Sequence, residues 1–199
     1  VPGGNWTFGY KQKGTVSKIL KELGLTTKSF SFSATDADFV LEEIEGVIHG
    51  RGVKTLDEYL GVPRAGRGRR LGTNQRRDLW EAFVRLREKL AESDERLWNE
   101  RDLVALEAVR PLYDYVFIDE AQDLSLVRLR FLVGLCRSRE GVFIAADSNQ
   151  SIYGSGLPWR EVADDLKFTG RSKIFRRNHR NPNPIWDAIR PFAAGVDDG

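Results

Sequence analysis

The stretch over residues 115–123 constrains the fold of this chain more than any other part of its sequence. It reads Tyr-Val-Phe-Ile-Asp-Glu-Ala-Gln-Asp, so an apolar run ends directly in two carboxylates, Asp119 and Glu120. A continuous apolar run predicts a parallel strand that is buried on both faces. Because an unpaired buried carboxylate is unfavourable, we expect both side chains at the carboxyl edge of the sheet, where open α/β folds place their ligands.

Strands and helices alternate through the second half of the chain. We predict strands over 115–118, 141–146 and 172–176, and helices over 124–136, 159–166 and 184–192. This alternation predicts βαβ units and a parallel sheet. The earlier residues show helical periodicity and capping signals instead, and the helices predicted there cover 15–25, 35–50, 55–61, 73–91 and 101–109. The predicted fold class is therefore α/β, a parallel sheet with flanking helices preceded by a mainly helical subdomain.

Polar side chains follow the first two predicted strands. Asp119 and Glu120 end the first strand, and Asp147 with Gln150 follows the second. Adjacent parallel strands would bring both groups to one edge of the sheet. In nucleotide hydrolysis one carboxylate holds Mg²⁺ and another orients or deprotonates the attacking water, while an amide can sense the γ-phosphate. The alternative is that the Asp-Glu pair only begins a solvated loop.

The composition argues against several classes of site. The chain has one cysteine, Cys136, and two distant histidines, His49 and His179, so we expect neither an internal disulfide nor a zinc site. No apolar run approaches the ~20 residues of a membrane span, and we expect a cytoplasmic protein. The chain begins at Val1 and contains neither methionine nor the phosphate-binding pattern GxxxxGK[ST]. We therefore expect a fragment that lacks the phosphate-binding loop.

The net charge of +2 conceals a concentration of arginines. Residues 64–77, the arginine block, contain no acidic residue and six arginines: Arg64, Arg67, Arg69, Arg70, Arg76 and Arg77. Such a block predicts a polyanionic partner, because arginines neutralise phosphates without reading bases. The predicted DNA contacts are Arg64, Arg67, Arg69 and Arg70. The alternative is a solvated surface loop.

Three segments resemble motifs of the UvrD/Rep-type superfamily 1 DNA helicases. Residues 116–123, Val-Phe-Ile-Asp-Glu-Ala-Gln-Asp, are similar to that family's Walker B motif, a hydrophobic strand followed by DE-x-QD. Residues 147–153, Asp-Ser-Asn-Gln-Ser-Ile-Tyr, are similar to its D-x-x-Q-S-I-Y motif. Residues 175–182, Phe-Arg-Arg-Asn-His-Arg-Asn-Pro, are similar to its L-x-x-N-Y-R motif, and all three occur in the family's order. Residues 50–80 also resemble the accessory subdomain that some of these helicases insert before Walker B.

The resemblance implies a site for ATP and Mg²⁺ and assigns roles within it. Asp119 would hold Mg²⁺, and Glu120 would activate the attacking water. Gln150 would contact the γ-phosphate, as would Arg180 from a second RecA-like domain. The other residues implied at the nucleotide site are Gln122, Asp123, Asp147 and His179, and His179 replaces the tyrosine that stacks on adenine in the family.

The resemblance also implies contacts with single-stranded and duplex DNA. Tyr153 and Trp159 lie where the family stacks aromatic side chains on single-stranded bases, an interaction that tolerates any base sequence. For both residues the alternative is a place in the hydrophobic core.

The implied fold is partly RecA-like and has three parts. Residues 1–110 would form the helical accessory subdomain, 111–172 the C-terminal part of the first RecA-like domain, and 173–199 the start of the second. The whole enzyme would couple ATP hydrolysis to 3′→5′ movement on single-stranded DNA in repair or recombination, whereas these residues alone would be inactive. Two other functions stay open: a non-enzymatic nucleic-acid-binding module with a helicase-like fold, and a P-loop ATPase that acts on protein.

Overall fold

The chain forms a mixed α/β structure, and the computed structural model describes residues 5–25, 36–64, 70–146, 159–163, 166, 172–173 and 184–185. The helices are α1 (Lys13–Glu22), α2 (Asp36–Glu43), α3 (Leu56–Gly61), α4 (Thr73–Glu92), α5 (Glu100–Glu107), α6 (Leu126–Gly134) and α7 (Trp159–Val162). The strands are β1 (Asn5–Thr7), β2 (Glu95–Leu97), β3 (Val116–Ile118) and β4 (Val142–Ile144). The predicted strand over 172–176 and the predicted helix over 184–192 lie mostly outside the described residues.

A helical core holds the first part of the chain together, and we call residues 5–97 the N-terminal lobe. Its longest helix, α4, buries Leu79, Phe83, Leu86 and Leu90, each at most 4 % exposed. These residues recur at intervals of three and four, so they line one face of the helix. Val84 is 38 % exposed and lies off that face.

The N-terminal lobe also contains a small parallel sheet that its sequence does not predict. Strand β1 pairs with β2, with Asn5 opposite Glu95 and Thr7 opposite Leu97. Three residues are too few to show a periodicity. The pairing also joins positions about 90 residues apart, so no local sequence pattern predicts it.

Helix α2 continues into a wider helical turn, Ile44–His49, and the chain leaves the helix at Gly52. Gly52 has a φ of +72°, a left-handed conformation that glycine adopts without steric cost. The predicted stop around Gly50 therefore agrees with the structure. Helix α3 begins as predicted, because Thr55 and Glu58 form a capping box in which each side chain accepts the other's backbone N–H.

Strands β3 and β4 form a second parallel sheet and, together with α6, the core of residues 116–166, which we call the C-terminal lobe. The parallel pairing is confirmed, with Phe117 opposite Phe143. Burial on both faces is wrong: Val116 is 8 % exposed and Ile118 4 %, whereas Phe117 is 75 % exposed. Alternating exposure arises because successive side chains point to opposite faces and the described helices cover only one of them. The exposed rings of Phe117 and Phe143 stack with centroids 4.8 Å apart.

Helix α5, which lies between the two lobes in sequence, packs against α6 of the C-terminal lobe. Across this contact Arg128 Nε donates to Asp102 Oδ2 over 2.7 Å. Arg51, just after the wide turn of α2, forms an ion pair with Glu161 of α7. None of the helices described is both long and apolar enough to cross a bilayer.

Candidate nucleotide site at the edge of β3 and β4

The end of β3 is tied to the end of β4 by backbone hydrogen bonds. Ala145 N–H donates to Ile118 O over 2.8 Å, and Ala121 N–H donates back to Ala145 O over 3.0 Å. Asp119 and Glu120 lie between these two bonds and both are exposed. The predicted position of this carboxylate pair, at the carboxyl edge of two parallel strands, is therefore where the structure places it.

Asp119 presents an oxygen ligand to this edge. Its Oδ1 accepts the backbone N–H of Glu120 over 2.9 Å, which fixes the direction of the carboxylate. Among the described residues no cluster of three or more His, Cys, Asp or Glu side chains could hold a metal ion. One carboxylate nevertheless fits Mg²⁺, which keeps several waters and takes its other ligands from substrate phosphates.

Glu120 has an unusual backbone conformation, with φ 49° and ψ 42°. This left-handed region is unfavourable for a side chain other than glycine, at about 1–3 kcal/mol, and such residues cluster at functional sites. The Glu120 carboxylate accepts a hydrogen bond from Gln122, whose Nε2 lies 2.5 Å from Oε2. Because Gln122 is only 3 % exposed, its amide is held in place by packing and in turn holds the carboxylate.

The other predicted nucleotide-site residues are described less fully. Asp123 is exposed and ends the short helical turn Ala121–Asp123 that contains Gln122. The backbone of Trp159 begins helix α7. The motif residues Asp147, Gln150, Tyr153, His179 and Arg180 lie outside the described part of the chain.

Arg64 of the arginine block has a buried partner. Its Nε and Nη2 lie 2.5 and 2.7 Å from the two carboxylate oxygens of Glu43, and the side chains are 5 % and 0 % exposed. Tyr59 Oη also donates to Glu43 over 3.0 Å, and burial beside this carboxylate raises the pKa of Tyr59 well above its usual range. A contact between Arg64 and DNA stays a prediction. The sequence carries one signal for this buried pair that the prediction did not use. Glu43 lies in α2 three residues after the buried Val40, and residues at this spacing share one face of a helix.

Arg76 also has a structural role. Its Nη1 donates to the carbonyl oxygens of Tyr59, Leu60 and Val62 at 2.6–3.1 Å and so satisfies acceptors at the end of α3. Arg64 and Arg76 therefore anchor the two flanks of residues 65–70. Within that segment Arg70 is exposed, while Arg67 and Arg69 lie outside the described residues.

One comparison with known proteins finds a family model that is similar to part of the chain. Residues 69–161 match the family model described as the UvrD/REP helicase N-terminal domain. The matched range contains strand β3, Asp119, Glu120 and the segment 147–153. No curated protein and no solved structure matches the chain.

Proposed function

We propose that this chain, whose residues 69–161 match the family model of the UvrD/REP helicase N-terminal domain, is the middle portion of an ATP-dependent DNA helicase or translocase. It couples ATP hydrolysis to movement along single-stranded DNA, in the 3′→5′ direction, in cytoplasmic repair or recombination. The observation that carries this proposal is the position of Asp119 and Glu120 directly after β3, at an edge shared with β4. The fold would be partly RecA-like, with parts at 1–110, 111–172 and 173–199.

The residues of the candidate nucleotide site have different roles in ATP hydrolysis. Asp119 holds the Mg²⁺ of the nucleotide, directly or through water, and the bound ion neutralises charge on the phosphates. Glu120 orients the attacking water or accepts its proton. Gln122 is a positioning residue, because its buried amide donates to the Glu120 carboxylate and limits that group to one orientation. The exposure of both carboxylates leaves room for a substrate between them and solvent.

The remaining roles extend the same proposal to residues matched by motif alone. Gln150 and Arg180 contact the γ-phosphate, and His179 stacks on the adenine ring. Tyr153 and Trp159 stack on bases of single-stranded DNA. The other proposed contacts of the nucleotide site are Asp123 and Asp147, and those with DNA phosphates are Arg67, Arg69 and Arg70.

The hydrolysis site is incomplete within the printed sequence. Residues 1–199 contain no GxxxxGK[ST] pattern, which in P-loop enzymes supplies backbone N–H groups and a lysine to the phosphates. We therefore expect no ATP hydrolysis from these residues alone. The decisive test is DNA-stimulated ATP hydrolysis by a native polypeptide that contains both residues 1–199 and such a pattern.

In that polypeptide Glu120→Gln should lower kcat about 10²–10⁴-fold, because it removes the group that handles the water's proton. Nucleotide affinity should stay near that of the wild type. Glu88→Gln is a suitable control, since Glu88 is an exposed carboxylate on α4 in the other lobe. Unchanged turnover in Glu120→Gln would contradict the assigned role. If residues 1–199 alone hydrolysed ATP in a Glu120-dependent manner, the expectation that their hydrolysis site is incomplete would be wrong.

The alternative function, a nucleic-acid-binding module without a motor, predicts a different result. DNA binding would then be steeply salt-dependent and would be lost on replacing Arg67, Arg69 and Arg70. No native form of the polypeptide would hydrolyse ATP. The proposed motor is preferred because binding alone needs neither the exposed carboxylate pair nor the buried Gln122 that orients Glu120.

A further inference from the structure

Three aromatic side chains follow the ends of strands β1 and β2, far in sequence from the nucleotide site. The parallel register places Thr7 opposite Leu97, and Trp98 N–H donates to Thr7 O over 2.8 Å. The next residue after each strand, Phe8 and Trp98, therefore emerges at the same carboxyl edge. Such an edge is a common place for ligands in parallel sheets.

The rings of Trp98, Phe8 and Tyr10 form a stack, which we call the aromatic row. The Phe8 ring lies 4.8 Å from Trp98 and 5.8 Å from Tyr10, with interplanar angles of 22° and 21°. Phe8 is 42 % exposed and Tyr10 65 % exposed. The row thus begins on a half-buried indole and ends on a ring that is open to solvent.

Positive charge accompanies the aromatic row. The Arg101 guanidinium lies over the Trp98 ring, 3.8 Å from its centroid, and Lys11 follows Tyr10 directly in the turn Gly9–Gln12. Within the described part of the chain, neither of these two exposed cations forms an ion pair.

Carboxylates on the neighbouring elements have partners of their own. Glu95 accepts a hydrogen bond from Gln12 over 3.3 Å, and Asp102 pairs with Arg128. The exposed cations beside the rings are Lys11 and Arg101, whereas Glu95 and Glu45 are half-buried and Glu45 accepts the backbone N–H of Gly9. Flat exposed rings with unpaired cations complement a ligand that combines a flat apolar surface with negative charge.

We propose that the aromatic row binds an unpaired nucleobase of single-stranded DNA. The base stacks on the open face of Tyr10, and Lys11 and Arg101 neutralise the flanking phosphates. This proposal rests on the proposed function for the identity of the polymer. It adds a site that is built from residues other than the arginine block, Tyr153 and Trp159.

Stacking and phosphate contacts can be separated by comparing two strands. Binding of residues 1–199 to a fluorescent fifteen-nucleotide oligothymidine is measured by anisotropy, beside an abasic strand of equal length and charge. The wild type should prefer the strand with bases at least about fivefold, the lower end of the value of one stacked base. Tyr10→Ala should lower this preference about fivefold, the value of one stacked base, and leave affinity for the abasic strand nearly unchanged, while any stacking on Tyr153 and Trp159 persists. Arg101→Gln should weaken both strands and lower the salt dependence by about one charge.

Tyr115→Ala is the matched control, since Tyr115 is 67 % exposed and lies directly before β3, where its ring neighbours that of Phe143. It should bind both strands like the wild type, and circular dichroism should show all variants folded. If the preference for the strand with bases were unchanged in Tyr10→Ala, the proposal that the aromatic row binds a base would be overturned. The proposed motor function would be unaffected by that result. Equal wild-type affinity for the two strands, or no binding to either, would also overturn the proposal for the aromatic row. The proposed motor itself fails on a different measurement, the Glu120-dependent ATP hydrolysis.

Discussion

Arg64 and Glu43 form an ion pair inside the N-terminal lobe, although Arg64 belongs to a block of arginines that reads as a surface loop. Nε and Nη2 of Arg64 lie 2.5 and 2.7 Å from the two oxygens of a carboxylate that is 0 % exposed. A buried pair of this kind adds little net stability over an apolar pair of equal volume. Removing one partner lowers the stability of the fold much more, because it leaves an uncompensated charge in the core.

We therefore predict that Arg64→Met destabilises the fold by about 3–5 kcal/mol. Urea unfolding at neutral pH measures this change. The double variant Glu43→Leu/Arg64→Met should recover part of the loss, since no charge is then buried alone. Recovery should be incomplete, because the Tyr59 hydroxyl loses its acceptor.

Arg70→Met is the control for loss of an arginine from the same block. Arg70 is exposed, so its replacement should change stability by no more than about 0.5 kcal/mol. If Arg64→Met unfolded like the wild type and lost DNA affinity instead, Arg64 would be a DNA contact, as its sequence context predicts.

The left-handed backbone of Glu120 leads to a second prediction. Glu120→Gly should raise the free energy of unfolding relative to Glu120→Ala by about 1 kcal/mol, because only glycine adopts a positive φ without strain. Both variants lose the carboxylate, so the comparison isolates the backbone. The same pair of changes at Asp94, which has a φ of 52°, should give a similar difference away from the nucleotide site.

The expected result at Glu120 would show that strain is held at the residue proposed to handle water. The midpoint of urea unfolding is the measurement, since it needs neither nucleotide nor DNA. Equal stability of Glu120→Gly and Glu120→Ala, with a clear difference at Asp94, would mean that the left-handed conformation at Glu120 carries no strain.

Local patterns predict the elements of this chain better than they predict its long-range contacts. The spacing of Leu79, Phe83 and Leu90 is sufficient to predict helix α4. The capping box of Thr55 and Glu58 is sufficient to predict where α3 begins. The apolar runs before Asp119 and before Asp147 likewise predict the paired strands β3 and β4. In each case the deciding residues lie within a few positions of one another.

The remaining features depend on partners that are distant in sequence. Strand β1 forms because it pairs with β2, and Arg64 is buried because it forms an ion pair with Glu43. The exposure of Phe117 depends on which face of β3 other elements cover, and an apolar run is the same whether one face is covered or both. The strain at Glu120 is a matter of backbone geometry, which a glutamate in a sequence does not reveal.

Gly141 supports a third prediction, because it lies against another segment of backbone. A Cβ atom at this position would meet Asp114 O at 2.0 Å and Cys136 Sγ at 3.0 Å. Gly141→Ala should therefore destabilise the C-terminal lobe by about 1–3 kcal/mol or more, since the start of β4 would have to move. Gly14→Ala is the control: nothing lies within 4 Å of that Cβ, and the change should be neutral or stabilising in helix α1. Equal unfolding midpoints for the two variants would contradict this close approach.

His49 gives the fourth prediction, a dependence of stability on pH. The side chain is 3 % exposed, and burial, assisted by the nearby Arg87 charge, lowers its pKa to about 3. Glu100 lies 4.0 Å from Nε2, too far for a hydrogen bond that would offset burial. The folded state therefore keeps His49 neutral, whereas the unfolded chain takes up a proton near pH 6.5. Stability should fall as the pH drops from about 6.5 towards 3, by at most about 1.4 kcal/mol per pH unit.

His49→Leu should remove this contribution, and urea unfolding at pH 7, 6 and 5 measures it as a shallower slope. The comparison with wild type is needed because burial raises the pKa of Glu45 and Glu100, which makes stability fall as the pH rises above 4.5. Phe83→Leu is the control, since its ring packs edge-on against His49 with centroids 5.5 Å apart but does not titrate. It should lower stability by a similar amount at every pH. An unchanged slope in His49→Leu would mean that His49 has the same pKa in the folded and unfolded states.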